Sequence, residues 1–209
     1  FFFFFFLFFF KNFCFFFFFD SFFFFFFFFQ AEDGIRYPLV TGFQTCALPI
    51  LELGRDDTQF ERIDITSLIQ GVVQSLDIVA RQKEVDVRMN VSGPVYVWAD
   101  EFKVEQVVRN YVNNALNHVD GQRIIDIRIE EREGKIRVNV FNTGKPIPEE
   151  DIAHIWEKFY KVDKARTREY GGNGIGLSIV KAIMESFHQN YGVRNYENGV
   201  QFWFELDKK

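Results

Sequence analysis

Phenylalanine is concentrated at one end of this chain, and that concentration decides which residues can build a fold. Of its 31 phenylalanines, 23 lie within residues 1–29, and eight are spread over the rest of the 209 residues. A run of one large apolar side chain has neither a patterned core face nor polar partners. The sequence therefore predicts that residues 51–209 carry the folded domain.

A membrane-spanning helix is the first alternative for such a tract, since a span needs roughly 20 mostly apolar residues. Lys11 with Asn12, and Asp20 with Ser21, interrupt the tract before any run reaches that length. A charge near the centre of a span costs a few kcal/mol. The tract is therefore not typical of a spanning segment.

The stretch at residues 30–50 resembles a translated sequencing-library adapter. Residues 30–36 and 40–50 follow its reading frame, and Tyr37 and Phe43 depart from it. A run of TTT codons would encode the phenylalanine tract before it. We therefore expect residues 1–50 to be an artefact that forms no part of the natural fold, and the natural sequence to enter near Leu51, at a point inside the natural protein.

Charge and cysteine content exclude two classes for residues 51–209. This segment has 22 basic and 26 acidic side chains and a net charge of −4, which gives no support to nucleic-acid binding. Both cysteines, Cys14 and Cys46, lie before it. The segment cannot be a disulfide scaffold.

Hydrophobic periodicity in residues 51–209 changes repeatedly between strand and helix spacing. Strands are predicted at 60–65, 85–89, 95–99, 124–132, 135–140, 191–195 and 200–206. Helices are predicted at 66–79 with Thr66 as N-cap, from Asp100 to about Val119, at 149–155 and at 174–187. This order predicts an α+β fold, in which a mixed, largely antiparallel sheet has helices packed on one face.

The helix near residues 101–119 carries a row of asparagines. Asn110, Asn114 and Asn117 recur at spacings of four and three, which places their amides on one face of the helix. Asparagine is a weak helix former. The row is either a solvated helix face or a binding surface.

Two later segments contain turns built from residues with small side chains. At 140–149 a strand ends beside Asn142 and Gly144, where a flat ring could approach the backbone and an amide could read its edge. At 171–178 four glycines lead into an amphipathic helix, and backbone amides at a helix N-terminus bind anions. Each segment alone is a weak signal.

In this order, and with residues 156–161 between the last two, the segments resemble the N, G1, F and G2 boxes of bacterial sensor histidine kinases. These kinases belong to a superfamily that includes gyrase, Hsp90 and MutL. The resemblance extends over residues 60–206. It implies a two-layer α/β sandwich, the Bergerat ATP-binding fold, with a mobile ATP lid. It also implies ATP and Mg²⁺ as cofactors, and transfer of the ATP γ-phosphoryl group to a histidine for two-component signalling.

The resemblance carries family roles to single positions of the N box. Asn114 matches the asparagine that binds Mg²⁺, and His118 matches a position that lines the nucleotide. Asn110 stands where gyrase-like ATPases have a glutamate that activates water. Because an amide cannot act as a general base, slow hydrolysis is expected. Asn117 stands where the family often has a lysine.

The lid and the glycine-rich segment complete the expected site. Among the basic residues of the lid, Lys161 and Arg166 are expected to contact phosphate. The full set of ATP-binding positions implied by the resemblance is Asn110, Asn114, Asn117, His118, Asn142, Gly144, Ile147, Phe159, Tyr160, Lys161, Arg166, Gly172, Gly174, Ile175, Gly176 and Leu177, with Asn114 as the metal ligand.

Two positions of the G1 box depart from the family pattern. Asn142 stands where the family has aspartate, and Pro146 where it has a second glycine. An asparagine can still accept a hydrogen bond from the adenine amino group, whereas a proline restricts the loop. Adenine recognition is expected to survive with altered strength.

Phosphoryl transfer to histidine needs an acceptor. His118, His154 and His188 lie inside the nucleotide domain without an acceptor motif. The resemblance implies that the acceptor is on a dimerisation domain missing from this chain, which would then not phosphorylate itself. It further implies a cytoplasmic catalytic domain of a membrane-bound homodimer whose partner is a response regulator.

Two other functions fit the same residues. A stand-alone serine/threonine kinase of the superfamily would need no histidine domain. A non-catalytic nucleotide-binding or scaffold module is suggested by Asn117, Asn142 and Pro146. Measured affinity for Mg²⁺–ATP distinguishes this module from a working kinase domain.

Overall fold

The computed structural model describes residues 6–10, 13–20, 23–30, 58–91, 93–162 and 174–209. Arg166 and Gly172, two residues expected to bind ATP, lie outside these ranges. The chain divides into two compact units, Phe1–Leu51 and Glu52–Lys209. The division falls beside the position where the sequence predicts the natural domain to begin.

The first unit contains three strands, β1 (Phe6–Phe10), β2 (Phe13–Asp20) and β3 (Phe23–Gln30). They form an antiparallel sheet in the order β1-β2-β3. Phenylalanine favours extended backbone, which is sufficient to account for strand formation in this tract.

The second unit is built on one sheet of seven strands. These are β4 (Glu61–Asp64), β5 (Asp86–Asn90), β6 (Tyr96–Ala99), β7 (Ile124–Arg132), β8 (Lys135–Thr143), β9 (Tyr191–Tyr196) and β10 (Gly199–Lys208). The strand order is β4-β6-β10-β8-β7-β5, and β9 also pairs with β10. Only β5 and β7 pair in parallel among the described strands. The predicted mixed, largely antiparallel sheet is confirmed.

Strand β10 joins the two parts of this sheet. Along one edge, residues 199–207 pair with β8. Along the other edge, residues 199–204 pair with β9 and residues 207–208 pair with β6. The β4-β6 pair is therefore connected to β8, β7 and β5 through β10.

Helices cover one face of the sheet, as predicted. They are α1 (Ile65–Ser75), α2 (Asp77–Gln82), α3 (Glu101–His118) and α4 (Gly176–Ser186). Tyr111 of α3 is fully buried, and its ring lies 5.4 Å from Phe202 and 6.0 Å from Phe204 of β10. None of the helices in the described part of the chain is long and apolar enough to cross a membrane.

The opposite face of the sheet carries an ion pair whose glutamate is buried and whose arginine is half-buried. Arg137 of β8 lies across from Glu205 of β10, with 2.5 Å between its Nη2 and Glu205 Oε1. Asn190 Nδ2 donates to Glu205 Oε2 at 3.0 Å. Burial raises the pKa of Glu205, but the hydrogen bonds from Asn190 and Arg137 and the Arg137 charge outweigh it. The pKa of Glu205 is therefore lowered from its ordinary value.

The predicted helix at 66–79 is wrong in its cap and its length. Asp64 caps α1, because its Oδ1 accepts from the Thr66 and Ser67 amides at 3.0 and 3.4 Å. Thr66 is buried and its hydroxyl donates to the Gly93 carbonyl. Asp64 stands one position before the first residue of α1, and aspartate is a preferred N-cap residue. The segment also breaks at Leu76 into α1 and α2.

The predicted helix at 149–155 is also wrong, since this segment forms successive turns. The Asp151 amide donates to the Pro148 carbonyl at 3.0 Å, and the His154 amide to the Asp151 carbonyl at 2.9 Å. Hydrogen bonds between residues three apart rarely continue over more than three or four residues. An α-helix as short as seven residues also has little stability of its own.

Candidate functional site

A cavity of about 730 Å³ lies against α3, the turn after β8, residues 145–162 and the start of α4. Pockets of 300–1,000 Å³ are typical of small-molecule sites. Most of the predicted site residues line it, namely Asn110, Asn114, Asn117, His118, Asn142, Ile147, Tyr160, Lys161, Gly174, Gly176 and Leu177. The structure therefore brings residues from all four sequence boxes to one cavity.

The asparagine row of α3 forms one wall. The opposite face of the helix is apolar and buried, with Val107, Val108 and Ala115 in the core. Its amphipathic packing therefore turns Asn110 and Asn114 towards the cavity. The row lines a concave surface, which favours the binding interpretation over a plain solvated face.

Asn142 lies at the end of β8 and is only 2% exposed. Its Nδ2 donates to the Thr143 carbonyl at 3.2 Å. Thr143 in turn donates its hydroxyl to the Asp120 carbonyl at 2.8 Å, and the Asp120 amide donates to the Thr143 carbonyl at 2.9 Å. These bonds fasten the end of β8 to the chain that follows α3, and hold the Asn142 amide at the cavity wall.

Gly144 packs against the end of α3 and is not among the residues that line the cavity. Its φ is +151°, and a Cβ added there would lie 2.7 Å from the His118 carbonyl oxygen. Its amide donates to the Asn198 carbonyl at 3.0 Å. Glycine is required here because the two backbones approach so closely.

The loop that contains Pro146 is held in place by β9. The Ile147 amide donates to Asn195 Oδ1 at 3.0 Å, and Asn195 Nδ2 donates to the Ile147 carbonyl at 2.6 Å. Pro146, Ile147 and Pro148 all line the cavity. Ile147, the residue that follows Pro146, therefore has its backbone fixed by two hydrogen bonds to Asn195.

The residues before the lid contact the start of α4. The Phe159 amide donates to the Gly174 carbonyl at 2.8 Å. Phe159 itself has a φ of +66° and is 70% exposed, and it does not line the cavity. Tyr160 does, and its hydroxyl donates to Asp151. This hydrogen bond is the main cause of a raised pKa for Tyr160.

Helix α4 begins against the asparagine row. A Cβ at Gly176 would lie 3.0 Å from Asn110 Oδ1. Gly176 and Leu177 line the cavity, whereas Ile175 does not. Because the first amides of a helix are unpaired, this end of α4 presents donors suited to an anion.

Several residues of the cavity were not among the predicted ATP-binding positions. They are Gln82, Lys83, Asn113, Leu116, Val119, Asp120, Arg123, Lys145, Pro146, Pro148, Ile155, Val162, Val200 and Phe202. Lys83 contacts α3, since its Nζ donates to the Leu116 carbonyl at 2.9 Å and to Asn117 Oδ1 at 3.0 Å. Burial lowers the pKa of Lys83. No local signal marks it, because its partners lie on another helix.

Among the described residues, no group of three or more His, Cys, Asp or Glu side chains could hold a metal ion. Asn114 lines the cavity and has an amide oxygen that could coordinate a metal ion. Amide oxygens and phosphate oxygens are ligands that Mg²⁺ accepts. The cavity wall thus combines the polar side chains of α3 with the buried amide of Asn142.

Solved structures share this fold. The nucleotide-free catalytic domain of histidine kinase ThkA is 31% identical, with a TM-score of 0.64 over 72% of this chain and 96% of that one. ThkA in complex with response regulator protein TrrA is 30% identical, with a TM-score of 0.66 over 79% of this chain and 47% of that one. ShkA in complex with AMPPNP is 25% identical, with a TM-score of 0.67 over 78% of this chain and 35% of that one. The fold is that of a histidine kinase catalytic domain.

Sequence relatives agree with that class. Residues 99–209 match the family described as histidine kinase-, DNA gyrase B- and HSP90-like ATPases, and the chain belongs to this family. Phosphate regulon sensor protein PhoR of Haemophilus influenzae is 29% identical over 154 residues, which cover 73% of this chain and 36% of PhoR. The chain therefore spans only about a third of that relative.

Proposed function

We propose that residues 51–209 bind ATP with Mg²⁺ in this cavity and transfer the γ-phosphoryl group to a histidine of a dimerisation domain outside this chain. The supporting observation is that the asparagine row of α3, the buried Asn142 and the start of α4 meet at one cavity. The order of events is the binding of ATP, its orientation, and its presentation to an external acceptor.

Asn142 would read the adenine edge. Its amide is buried at the cavity wall, and within the described residues no side chain or backbone group donates to its Oδ1. That oxygen can accept from the adenine amino group. Apolar residues of the same cavity, including Ile147, Leu177 and Phe202, supply surfaces on which the flat ring can pack.

Asn114 would hold Mg²⁺ through its amide oxygen. The absence of an acidic cluster in the described residues fits an ion held chiefly by phosphates with one protein ligand. When bound, Mg²⁺ would neutralise charge on the phosphate oxygens.

The start of α4 and the chain that precedes it would hold the phosphates. Lys161 lines the cavity on the lid side and Gly176 on the helix side. Preorganised donors of this kind position the transferring group and stabilise its charge. Arg166 and Gly172, outside the described residues, are proposed to take part.

Asn110 would not activate water for the hydrolysis of ATP. It lies on the cavity wall within 3.0 Å of a Cβ position at Gly176, and its amide cannot remove a proton from water. The γ-phosphoryl group would then be retained until a protein nucleophile arrives.

The proposed nucleophile comes from another domain. His154 is exposed and pairs with Glu157 at 2.8 Å, and His188 is exposed after the end of α4. Neither lines the cavity. We therefore assign the acceptor to a dimerisation domain of a membrane-bound, homodimeric parent kinase, with a response regulator as the next partner.

Calorimetry of ATP binding tests the nucleotide part of the proposal. With Mg²⁺ the chain should bind ATP at a Kd between about 1 μM and 1 mM, the usual range for enzyme substrates. Asn114→Ala should remove the dependence on Mg²⁺. Gln106→Ala, a control on the same helix but outside the cavity, should leave it unchanged. No binding of Mg²⁺–ATP by the unaltered chain would reject the kinase in favour of a non-catalytic scaffold module.

Radiolabelled ATP tests the transfer step. The chain alone should remain unlabelled, whereas a separately supplied acceptor domain should gain acid-labile, base-stable phosphate. The rate should be low, because an untethered acceptor lacks the effective concentration, up to millimolar, that a short linker provides. Acid-labile label on the chain alone would contradict the proposal, and acid-stable label on a serine substrate would favour the stand-alone serine/threonine kinase.

A further inference from the structure

Asn195 of β9 lies beside the cavity without lining it. Its partner on β10 is Val200, which is buried and does line the cavity. The half-buried side chain of Asn195 accepts from the Ile147 amide through Oδ1 at 3.0 Å and donates to the Ile147 carbonyl through Nδ2 at 2.6 Å. One side chain therefore binds both backbone polar groups of a cavity residue that lies 48 positions earlier in the chain.

The loop that Asn195 holds has a single backbone donor at its centre. Pro146 and Pro148 flank Ile147, and a proline has no amide hydrogen. The Ile147 amide is therefore the only backbone donor of residues 146–148, and Asn195 accepts from it. The β9–β10 hairpin holds the loop at a second point, since the Gly144 amide donates to the Asn198 carbonyl at 3.0 Å. This wall of the cavity is thus fixed from a hairpin outside the four sequence boxes.

We propose that Asn195 is a positioning residue for the nucleotide base, because it holds residues 146–148 as a fixed apolar wall on which the adenine ring packs. This inference rests on the proposed binding of ATP. All three residues of the wall line the cavity, and the Ile147 amide is already engaged, so the wall offers the ring packing surface and no backbone donor. A loop that is ordered before the ligand arrives costs no ordering free energy on binding.

The competing role for Asn195 is purely structural. Its two hydrogen bonds would then stabilise the fold and leave the affinity of the folded chain unchanged. A positioning role instead lowers the affinity of a folded variant, and it does so through the base alone. Adenosine and ATP should then lose affinity by the same factor, because the proposed Mg²⁺ ligand Asn114 lies on α3, away from the bonds that the substitution removes.

The test measures adenosine and Mg²⁺–ATP binding by calorimetry on the full chain. Asn195→Ala removes both hydrogen bonds and should weaken both ligands by about tenfold, the net effect of one to two hydrogen bonds, while ATP binding keeps its dependence on Mg²⁺. Asn195→Asp keeps the acceptor but loses the donor to the Ile147 carbonyl, and should also weaken both ligands equally. Asn198→Ala is the control, because its exposed side chain is on the same hairpin and its carbonyl is retained. It should leave both affinities within about twofold of the original.

Unchanged affinities in a folded Asn195→Ala or Asn195→Asp would overturn the inference and leave Asn195 with a structural role. A larger loss for ATP than for adenosine, or a lost dependence on Mg²⁺, would overturn it as well, because the phosphate side would then be disturbed. An unaltered chain that binds Mg²⁺–ATP without measurable affinity for adenosine would also overturn it, since the base would then contribute too little.

Amide hydrogen exchange on the unaltered chain tests the same inference without a substitution. The Ile147 amide should be protected before any nucleotide is added, because Asn195 already accepts from it. Exchange as fast as in an unfolded chain would overturn the inference even if both variants unfold. Failure of the unaltered chain to bind both adenosine and Mg²⁺–ATP would reject the proposed function itself, which separates the two failures.

Discussion

Replacing Gly144 by alanine tests how the end of β8 is fitted against the end of α3. The new Cβ would lie 2.7 Å from the His118 carbonyl oxygen and 3.5 Å from the Asp120 nitrogen. Both atoms belong to the backbone, so no side-chain rotation can relieve the contact. The φ of +151° is also one that residues with a side chain rarely adopt.

The expected loss of stability has two parts. Backbone strain at such a φ costs about 1–3 kcal/mol, and overpacking at a site that cannot relax costs about 1–3 kcal/mol more. The free energy of unfolding should therefore fall by about 2–6 kcal/mol. For a domain of this size each kcal/mol lowers Tm by about 2–4 °C, so a fall of at least about 4 °C is expected.

Gly121→Ala supplies the matched control. Its φ is +65°, but no atom lies within 4 Å of the Cβ position, so only the backbone cost of about 1–2 kcal/mol applies. Urea unfolding of both variants, followed by linear extrapolation, measures the difference. If Gly144→Ala loses no more stability than Gly121→Ala, the close approach to His118 carries no cost and the reasoning fails.

Three further predictions concern other parts of the molecule. Because the pKa of Glu205 is lowered in the folded chain, its contribution to stability is present above its unfolded pKa and is lost as pH falls through the folded value. Urea titrations should therefore show a smaller loss below about pH 4.5 in Glu205→Gln than in the original, and identical slopes would contradict this. Tyr111→Phe removes the hydroxyl that donates to the Trp203 carbonyl at 3.2 Å. The substitution should lower the free energy of unfolding, measured with urea, by about 0.5–1.5 kcal/mol. An unchanged free energy of unfolding would contradict this. Deletion of residues 1–50 should preserve cooperative thermal unfolding and raise solubility, and a loss of cooperativity would show that these residues belong to the fold.

The parts of the fold that sequence reasoning predicted well depend on local rules. Asp100 caps α3 by accepting from the Lys103 amide at 3.0 Å, as expected of an N-cap aspartate. The β7–β8 hairpin turns at Glu133 and Gly134, which both have positive φ and lie between the strands predicted at 124–132 and 135–140. The cap of α1 was predicted wrongly because two local solutions, Asp64 and Thr66, competed. The helix at 149–155 was predicted wrongly because so short a segment has little helical stability of its own.

The site was predictable only in so far as its residues form motifs. Asn114 and Asn142 were found because each belongs to a segment with a recognisable pattern, and both line the cavity. Lys83 and Phe202 also line it, but their positions depend on how α2 and β10 pack against α3. Such contacts join residues far apart in sequence, and periodicity does not record them. The roles of the motif residues in binding remain predictions.

The place of β10 in the sheet has a consequence for the order in which this domain can be made. It is the last strand in chain order, yet it lies between β6 and β8. Once residues 61–143 have been synthesised, β4 can pair with β6, and β5 with β7 and β8, but in the described sheet only β10 connects the two groups. The α3 helix then has no Phe202 or Phe204 to pack on. Sheet closure must therefore follow synthesis of the final strand, and the unfinished edges of β6 and β8 are where a chaperone or a misfolding partner would bind.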